Sequence, residues 1–578
     1  MTLRKLIRYL KPYGWNILLI CGLVFITAMT DLQLPDYMSQ IVNEGVVLGE
    51  TGIILRVGLK MLGVALIGAL ASICTGFLAS RTGAGLARDL RHNVFAKVEG
   101  FSLTEFDQFS TASLITRTTN DIQQVQMVVI MMLRMVLQAP VMAIGGITKA
   151  IGKNPSMSWI IAAAVACMFV LIFLLFNIAM PRFKKLQKLV DRLNLVTRES
   201  LVGLRVIRAF NTQAYEEEKF KQANTDLTKT HLFVNRMMVM MQPIMMLLLN
   251  VTTIGIIWIG SHYVGEGVFA VGDMMAFMQY SMQIMFAFLM VSMIFIMIPR
   301  ASVSANRIAE VLESQTAIND PDRPEKAVDG EKGKVEFRNV SFCYPGAEEP
   351  VLHDIDFTAY PGQTTAFIGS TGSGKSTLVN LIPRFYDVSE GELRIDGVCV
   401  KALRQRDLRE KIGYVPQKGV LFTGDIASNI LYGNPDADEQ TMKQAAMIAQ
   451  ATEFIEQTEH GYQTEISQGG TNVSGGQKQR LSIARALAKR PEILIFDDSF
   501  SALDFQTDAA LRRALQQQTQ GVTTLIVAQR ISTIVHADQI IVLDEGRIVG
   551  KGTHEQLLQS CDVYREIAYS QLSKEELA

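Results

Sequence analysis

The stretch Gly369-Ser370-Thr371-Gly372-Ser373-Gly374-Lys375-Ser376-Thr377 follows a short apolar run, Thr364–Ile368, and opens a run of helical pattern. Strand, glycine-rich turn and helix in that order are the setting of a phosphate-binding loop. Glycines let successive backbone N–H groups point at one anion, and the start of the following helix adds positive potential. In such a loop Lys375 reaches the β- and γ-phosphates of a nucleotide, and Ser376 offers its hydroxyl to Mg2+. A second apolar run, Ile493–Phe496, ends in Asp497, a carboxylate suited to holding the same ion through its shell. Between them Val473-Ser474-Gly475-Gly476-Gln477 opens another helical run, a further helix N-terminus available to an anion. A chance glycine-rich turn would not bring both flanks with it.

Working outward, short β-rich runs alternate with helical patterns at Lys334–Phe342, Ile412–Val415, Thr524–Val527 and Ile540–Leu543. This alternation predicts an α/β domain over 335–578 with a largely parallel sheet. Residues 313–334 hold Pro321, Pro324, Asp329, Gly330 and Gly333 and read as a linker.

Residues 1–312 are of another kind. The 578-residue chain is too long for one core, and 49% hydrophobic against 19% charged residues leans towards a membrane protein. Runs long enough to span a bilayer, about 20 residues, fall near Trp15–Tyr37, Ile54–Ser80, Val125–Ala150, Trp159–Met180, Met237–Tyr263 and Val271–Ile298. The first is too long for a cleavable signal and lacks a small-residue cleavage site. Basic residues cluster before the first span (Arg4, Lys5, Arg8, Lys11), after the second (Arg81, Arg88, Arg91, Lys97) and after the fourth (Arg182, Lys184, Lys185, Lys188). The positive-inside rule then puts both termini in the cytoplasm. Net charge of −1 gives no sign of a nucleic-acid partner. The six cysteines stand at no metal-ligand spacing and read as buried free thiols.

The two internal connections are long, polar and helical in pattern, so the second to fifth spans are expected to continue beyond the bilayer. Each has a break where a short transverse helix fits, around Ser102–Asp107 and around Phe210–Glu216.

With Ser474-Gly475-Gly476-Gln477 standing between the phosphate loop and Asp497, the chain resembles the ABC transporters. The membrane half is similar to their domain-swapped six-span exporters in Leu114-Ile-Thr-Arg117-Thr-Thr-Asn120-Asp121 and Val206-Ile-Arg-Ala-Phe210. The resemblance implies an α-helical membrane domain of six transmembrane helices (the type IV ABC exporter fold) fused to an α/β P-loop NTPase domain. It implies ATP and Mg2+ as cofactors, with the P-loop Gly369–Thr377 binding ATP and Ser376, Gln417 and Asp497 serving the metal. Tyr344 takes the place of the aromatic that stacks on adenine. Ser474–Gln477 closes over the γ-phosphate held by another subunit, and Asp504, in Ser501-Ala-Leu-Asp504, contacts that subunit. The transverse segments become coupling helices.

Two positions depart from the family. Asp498 stands where the family carries the Glu that polarises water, and Gln529 where it carries the switch His. One methylene less draws the carboxylate back by about 1 Å, a misplacement that can cost on the order of 100-fold. A glutamine amide carries neither proton nor charge. Gln468, ahead of the signature, replaces a frequent Glu. ATP binding with impaired hydrolysis beside a complete signature resembles one subunit of a heterodimeric multidrug exporter in a plasma membrane, and the expected lack of a peptidase domain ahead of the first span disfavours a dedicated processing exporter of leader peptides. The partner would supply Glu and His at the catalytic Asp498/Gln529-equivalent positions of its own site, with Gln417 the corresponding Mg2+-sensing glutamine here. Half of the 28 methionines fall between Met237 and Met297, which suits an amphipathic drug-like or lipidic small-molecule cargo as well as plain packing. Polar Asp31, Gln33, Arg134, Gln138, Gln242, Asn250 and Gln283 within the spans are expected to face the bundle interior. A peptide or lipid exporter, an ATP-sensing regulatory subunit and a slow homodimer stay open as alternatives.

Overall fold

Among the described residues, six helices are long and apolar enough to cross a bilayer: Arg8–Val46, Thr51–Glu99, Thr111–Lys153, Pro155–Leu174, Gln213–Gly265 and Val271–Val291. The computed structural model describes residues 8–325 and 332–571; Arg4, Lys5, Asp329 and Gly330 lie outside them. The second-span helix runs unbroken for 49 residues, about 70 Å at 1.5 Å per residue, against a hydrocarbon core of about 30 Å. The expected extension beyond the bilayer is therefore present.

The chain divides into two units, Met1–Glu99 with Thr111–Ser314, and Gly100–Ser110 with Gln315–Ala578. In the first, Ala28, Leu32, Met142, Ile160, Ile256, Phe277, Tyr280 and Ile284 form a core drawn from all spans but the second. Many large apolar side chains, such as Leu55, Leu66, Phe77 and Trp258, point outward, as suits helices solvated by lipid. Cys74 and Cys167 share that outward exposure, so the buried position expected of them is corrected: in a bilayer an apolar run need not be interior. Polar ties close the bundle at its two ends. At the Lys153 end Asp36 pairs with Lys149 and Lys153 with Asp273, both at 2.7 Å, while the Ser39 hydroxyl donates to Asp273 at 2.6 Å. At the Arg117 end Arg117 pairs with Glu310 at 2.9 Å, and the Ser304 hydroxyl donates to Asp121 at 2.8 Å.

The first transverse helix is Leu103–Gln108, started by a reciprocal Ser102/Glu105 cap and grouped with the second unit. Buried Glu105 also accepts from the backbone N–H of Ala317 at 3.0 Å. The second is Leu204–Ala209, earlier in the chain than the expected 210–216. Gly203 ends the long helix before it, and Asn211 turns the chain in the left-handed region (φ 54°), which Asn tolerates better than most residues. From Gln213 the next long helix has begun.

The second unit carries a six-stranded sheet in the order Arg547–Gly552, Gln539–Asp544, Thr364–Gly369, Thr523–Val527, Ile493–Asp497, Ile412–Val415. All its pairings are parallel except that of the edge strand Arg547–Gly552. Its continuous apolar strands, such as Ile493–Asp497 with every residue buried, are what a sheet covered on both faces requires. Val335–Phe342 is not part of it. That run pairs antiparallel with Leu352–Ala359 and Glu390–Ile395 in a separate sheet, and Phe337, Phe357 and Phe367 pack where the two sheets face each other.

Candidate nucleotide-binding site

The parallel register brings the chemistry to one edge of the large sheet. Val527 pairs with Asp497 and with Phe367, so the strand ends before Gly369, Asp498 and Gln529 lie side by side. Ligands of open α/β sheets bind at such carboxyl ends.

In the loop, a Cβ on Gly369 would collide with the carbonyl oxygen of Leu543, and one on Gly374 (φ 91°) would lie 2.6 Å from Leu352 Cδ2. Only glycine fits either place. Lys375 starts the helix Lys375–Leu381, and its Nζ donates to the carbonyls of Gly369 and Ser370 at 2.9 and 2.6 Å and to Ser373 Oγ at 3.2 Å. The ammonium is thus held by its own loop. Burial lowers its pKa, and Asp498 and Asp497 oppose that shift.

Ser376 Oγ donates to Asp497 Oδ1 at 2.8 Å. This hydroxyl–carboxylate pair consists of hard oxygen donors of the kind Mg2+ takes together with phosphate and water, so the residues present fit the ion. Asp498 is the centre of a second cluster. Its Oδ2 accepts from Gln529 Nε2 at 2.8 Å and from Gln417 Nε2 at 3.2 Å. Burial pushes the carboxyls of both aspartates above the ordinary range, against the Ser376 hydroxyl at Asp497 and the Gln417 amide at Asp498. Asp498 adopts φ 47°, a left-handed conformation that Asp takes more readily than longer side chains.

Tyr344 lies half-buried, its hydroxyl 3.0 Å from Thr377 Oγ1, with its ring edge-on to Tyr386 at 5.2 Å. The Tyr386 hydroxyl in turn donates to Asp107 of the first transverse helix at 2.9 Å. Sequence reading missed Tyr386: it follows the loop helix in Arg384-Phe-Tyr-Asp387 with no spacing that marks it, and only the fold sets it between Tyr344 and Asp107.

Ser474 caps Gly475–Ala488 through a reciprocal box in which Gln477 N donates to Ser474 Oγ at 3.3 Å and Ser474 N to Gln477 Oε1 at 2.9 Å. Ser474 and Gly475 are exposed and Gly476 partly so, and among the described residues no hydrogen bond joins them to the loop 369–377. Asp504 caps Phe505–Gln518, accepting from Thr507 N at 2.9 Å. Gln468 is exposed in the turn ahead of the signature.

A family model of the ABC transporter transmembrane region matches residues 17–288, and an ABC transporter model matches residues 352–501. The chain belongs to the ABC transporter family. An uncharacterized ABC transporter ATP-binding protein of Mycobacterium tuberculosis is 43% identical over 99% of this chain and 98% of its own length. An ATP-dependent lipid A-core flippase of Pseudomonas aeruginosa is 32% identical over 96% and 93%. A solved bacterial Atm1-family ABC exporter with ATP bound superposes with a TM-score of 0.81 over 97% of this chain and 98% of that one, at 26% identity. This ABC transporter is thus a multi-pass membrane protein of the exporter fold, with an ATP-binding, ATP-hydrolysing domain attached to its membrane region.

Proposed function

We propose that this ABC exporter is one half of a two-chain pump whose own P-loop site binds ATP–Mg2+ and hydrolyses it poorly, while its signature completes the competent site of a different partner. The observation that carries the reading is the clasp on Asp498. A general base must hold a free oxygen towards the attacking water. Here one carboxylate oxygen of Asp498, Oδ2, is taken by two amide donors, neither of which can exchange a proton. The binding side is intact: Tyr344 to flank adenine, Gly369–Thr377 for phosphates, and Ser376, Asp497 and Gln417 for the ion. Mg2+ bound there would neutralise charge between the β- and γ-phosphates.

Two exposed elements support a second chain. Ser474 and Gly475 stand exposed at a helix N-terminus, and Leu204–Ala209 buries none of its residues. In the proposed cycle ATP joins the paired ATPase domains and turns the membrane cavity outward, and hydrolysis at the partner's site, with its Glu and His, resets it. Relatives that carry the name lipid A-core flippase favour a lipidic or otherwise amphipathic small-molecule cargo, with both termini cytoplasmic at a plasma membrane.

The test is ATPase activity of the purified chain beside the same chain assembled with a partner that carries Glu and His. Negligible turnover alone, restored by the partner and lost on the partner's Glu→Gln, is the expected result. Brisk cargo-stimulated turnover by this chain alone would make Asp498 a sufficient base and the pump a homodimer.

A further inference from the structure

The third span shows distinct faces along its length. Ile130, Leu133 and Leu137 pack with Ile20, Val24 and Ala79 of the first two spans. Buried Val128 and Met142, with Gly146 close against Ile284, face the sixth span. An exposed face formed by Val136, Ile144, Ile147 and Ile151 is wholly apolar, the composition of a surface against lipid.

The remaining face is different. Gln123, Met127, Met131, Arg134 and Gln138 recur at helical spacing on one stripe, exposed at Gln123, Met127, Met131 and Arg134. Arg134 has no ion pair or hydrogen-bond partner among the described residues. It lies roughly 20 Å along the helix axis from both Asp121 and Lys149, which puts it at hydrocarbon depth when Lys149 marks the far interface. A guanidinium there is costly unless it meets an anion or lines a cavity. Gln123 and Gln138 share the stripe with Arg134, a run of polar groups that suits the lining of a cavity.

Beside the stripe runs a narrow cleft of about 30 Å³ whose lining includes Met131, Met132 and Met135 from the third span and Met293 and Met297 from the sixth. Methionine side chains are flexible and polarisable, and such a seam opens to an alkyl chain at little cost in packing. The geometry points to a binding site for an anionic amphiphile, with its phosphate or carboxylate on Arg134 and its hydrocarbon chain in the methionine seam. The assignment rests on the exporter reading for its purpose: it gives the charge class of the cargo. A guanidinium holds either headgroup through paired N–H donors, which makes arginine the suitable cation for it.

The test is direct binding without ATP. The purified transporter in phosphatidylcholine nanodiscs is titrated with dodecyl phosphate, dodecanoate, dodecyltrimethylammonium and dodecyl maltoside, and occupancy is read by native mass spectrometry. Arg134→Gln is expected to weaken the anionic ligands about tenfold or more, the scale of a lost charge-assisted contact. Arg134→Lys should recover most of that loss, and the cationic and neutral ligands should be unaffected. Met131→Ala with Met297→Ala should weaken dodecyl phosphate while sparing its preference over the cationic ligand. Comparing dodecyl phosphate with dodecanoate separates a phosphate from a carboxylate headgroup. Unchanged dodecyl phosphate binding in Arg134→Gln would overturn the site, as would equal loss of all four ligands. So would a changed assembly state at constant affinity, which would mean that a second chain covers the stripe. Failure of sealed vesicles to move bound dodecyl phosphate with ATP, with binding intact, would instead count against the exporter reading alone.

Discussion

At Asp498 three side chains share one oxygen, so the substitutions there do not add independently. Asp498→Glu extends the carboxylate past the amide clasp, and Gln529→His replaces one donor with a group that can carry charge. The pair together is expected to raise single-turnover hydrolysis at this site by about 100-fold, and either alone by much less; a quench-flow measurement on the assembled transporter checks it. A second residue-scale prediction concerns His554, whose Nδ1 lies 2.6 Å from the Tyr564 hydroxyl. Burial lowers its pKa, with neighbouring Glu555 opposing. The unfolded chain therefore binds the proton more readily than the folded one. Stability is complete above about pH 6.5, where both states are neutral, and declines as pH falls through the ordinary histidine range. His554→Gln should flatten the change in the ATPase unit's melting temperature between about pH 7.5 and 5.5. The phosphate loop, Asp497 and the Asp498/Gln529 departures are all legible in the sequence, because each is a local residue type at a fixed place beside a strand. The sharing of one Asp498 oxygen is not. It depends on register between strands far apart in the chain.

The two transverse helices show what element-scale reading can and cannot reach. The first begins with the Ser102/Glu105 capping box and falls on the break expected around Ser102–Asp107. The second lacks such a box, and its true start at Leu204 follows from Gly203, a single glycine that pattern alone does not rank above its neighbours. The long helices and parallel strands were legible from periodicity. The separate antiparallel sheet around Val335–Phe342 was not, since an isolated apolar run does not declare the direction of its partners. Through the Tyr386 hydroxyl, Asp107 joins the first transverse helix to the aromatic group that includes Tyr344. Tyr386→Phe removes that bond while keeping the ring. Nucleotide affinity should stay within about twofold, since a packing-neutral change costs little. Cargo moved per ATP should fall, because a contact worth about 1 kcal/mol no longer fastens the helix; parallel transport and ATPase assays in vesicles separate the two.

For the molecule as a whole, the exposed signature predicts an effect that crosses chains. Ser474→Arg removes the cap of Gly475–Ala488 and places a bulky cation at its N-terminus. Turnover of the assembled pump should fall by about 100-fold or more, the scale of a lost transition-state donor. Binding of a fluorescent ATP analogue at this chain's own P-loop should be unaffected. Loss of that binding too would make the signature part of its own site. The tip of the long hairpin carries a further consequence. Val202, Val206, Phe210 and Tyr215, close in sequence there, each have more than half of their surface open, on a polar extension that reaches past the lipid. Such a patch invites chaperones and proteases whenever it is uncovered. A cell that makes this chain in excess of whatever shields the tip should therefore clear the surplus, so that matched synthesis sets the pump's abundance.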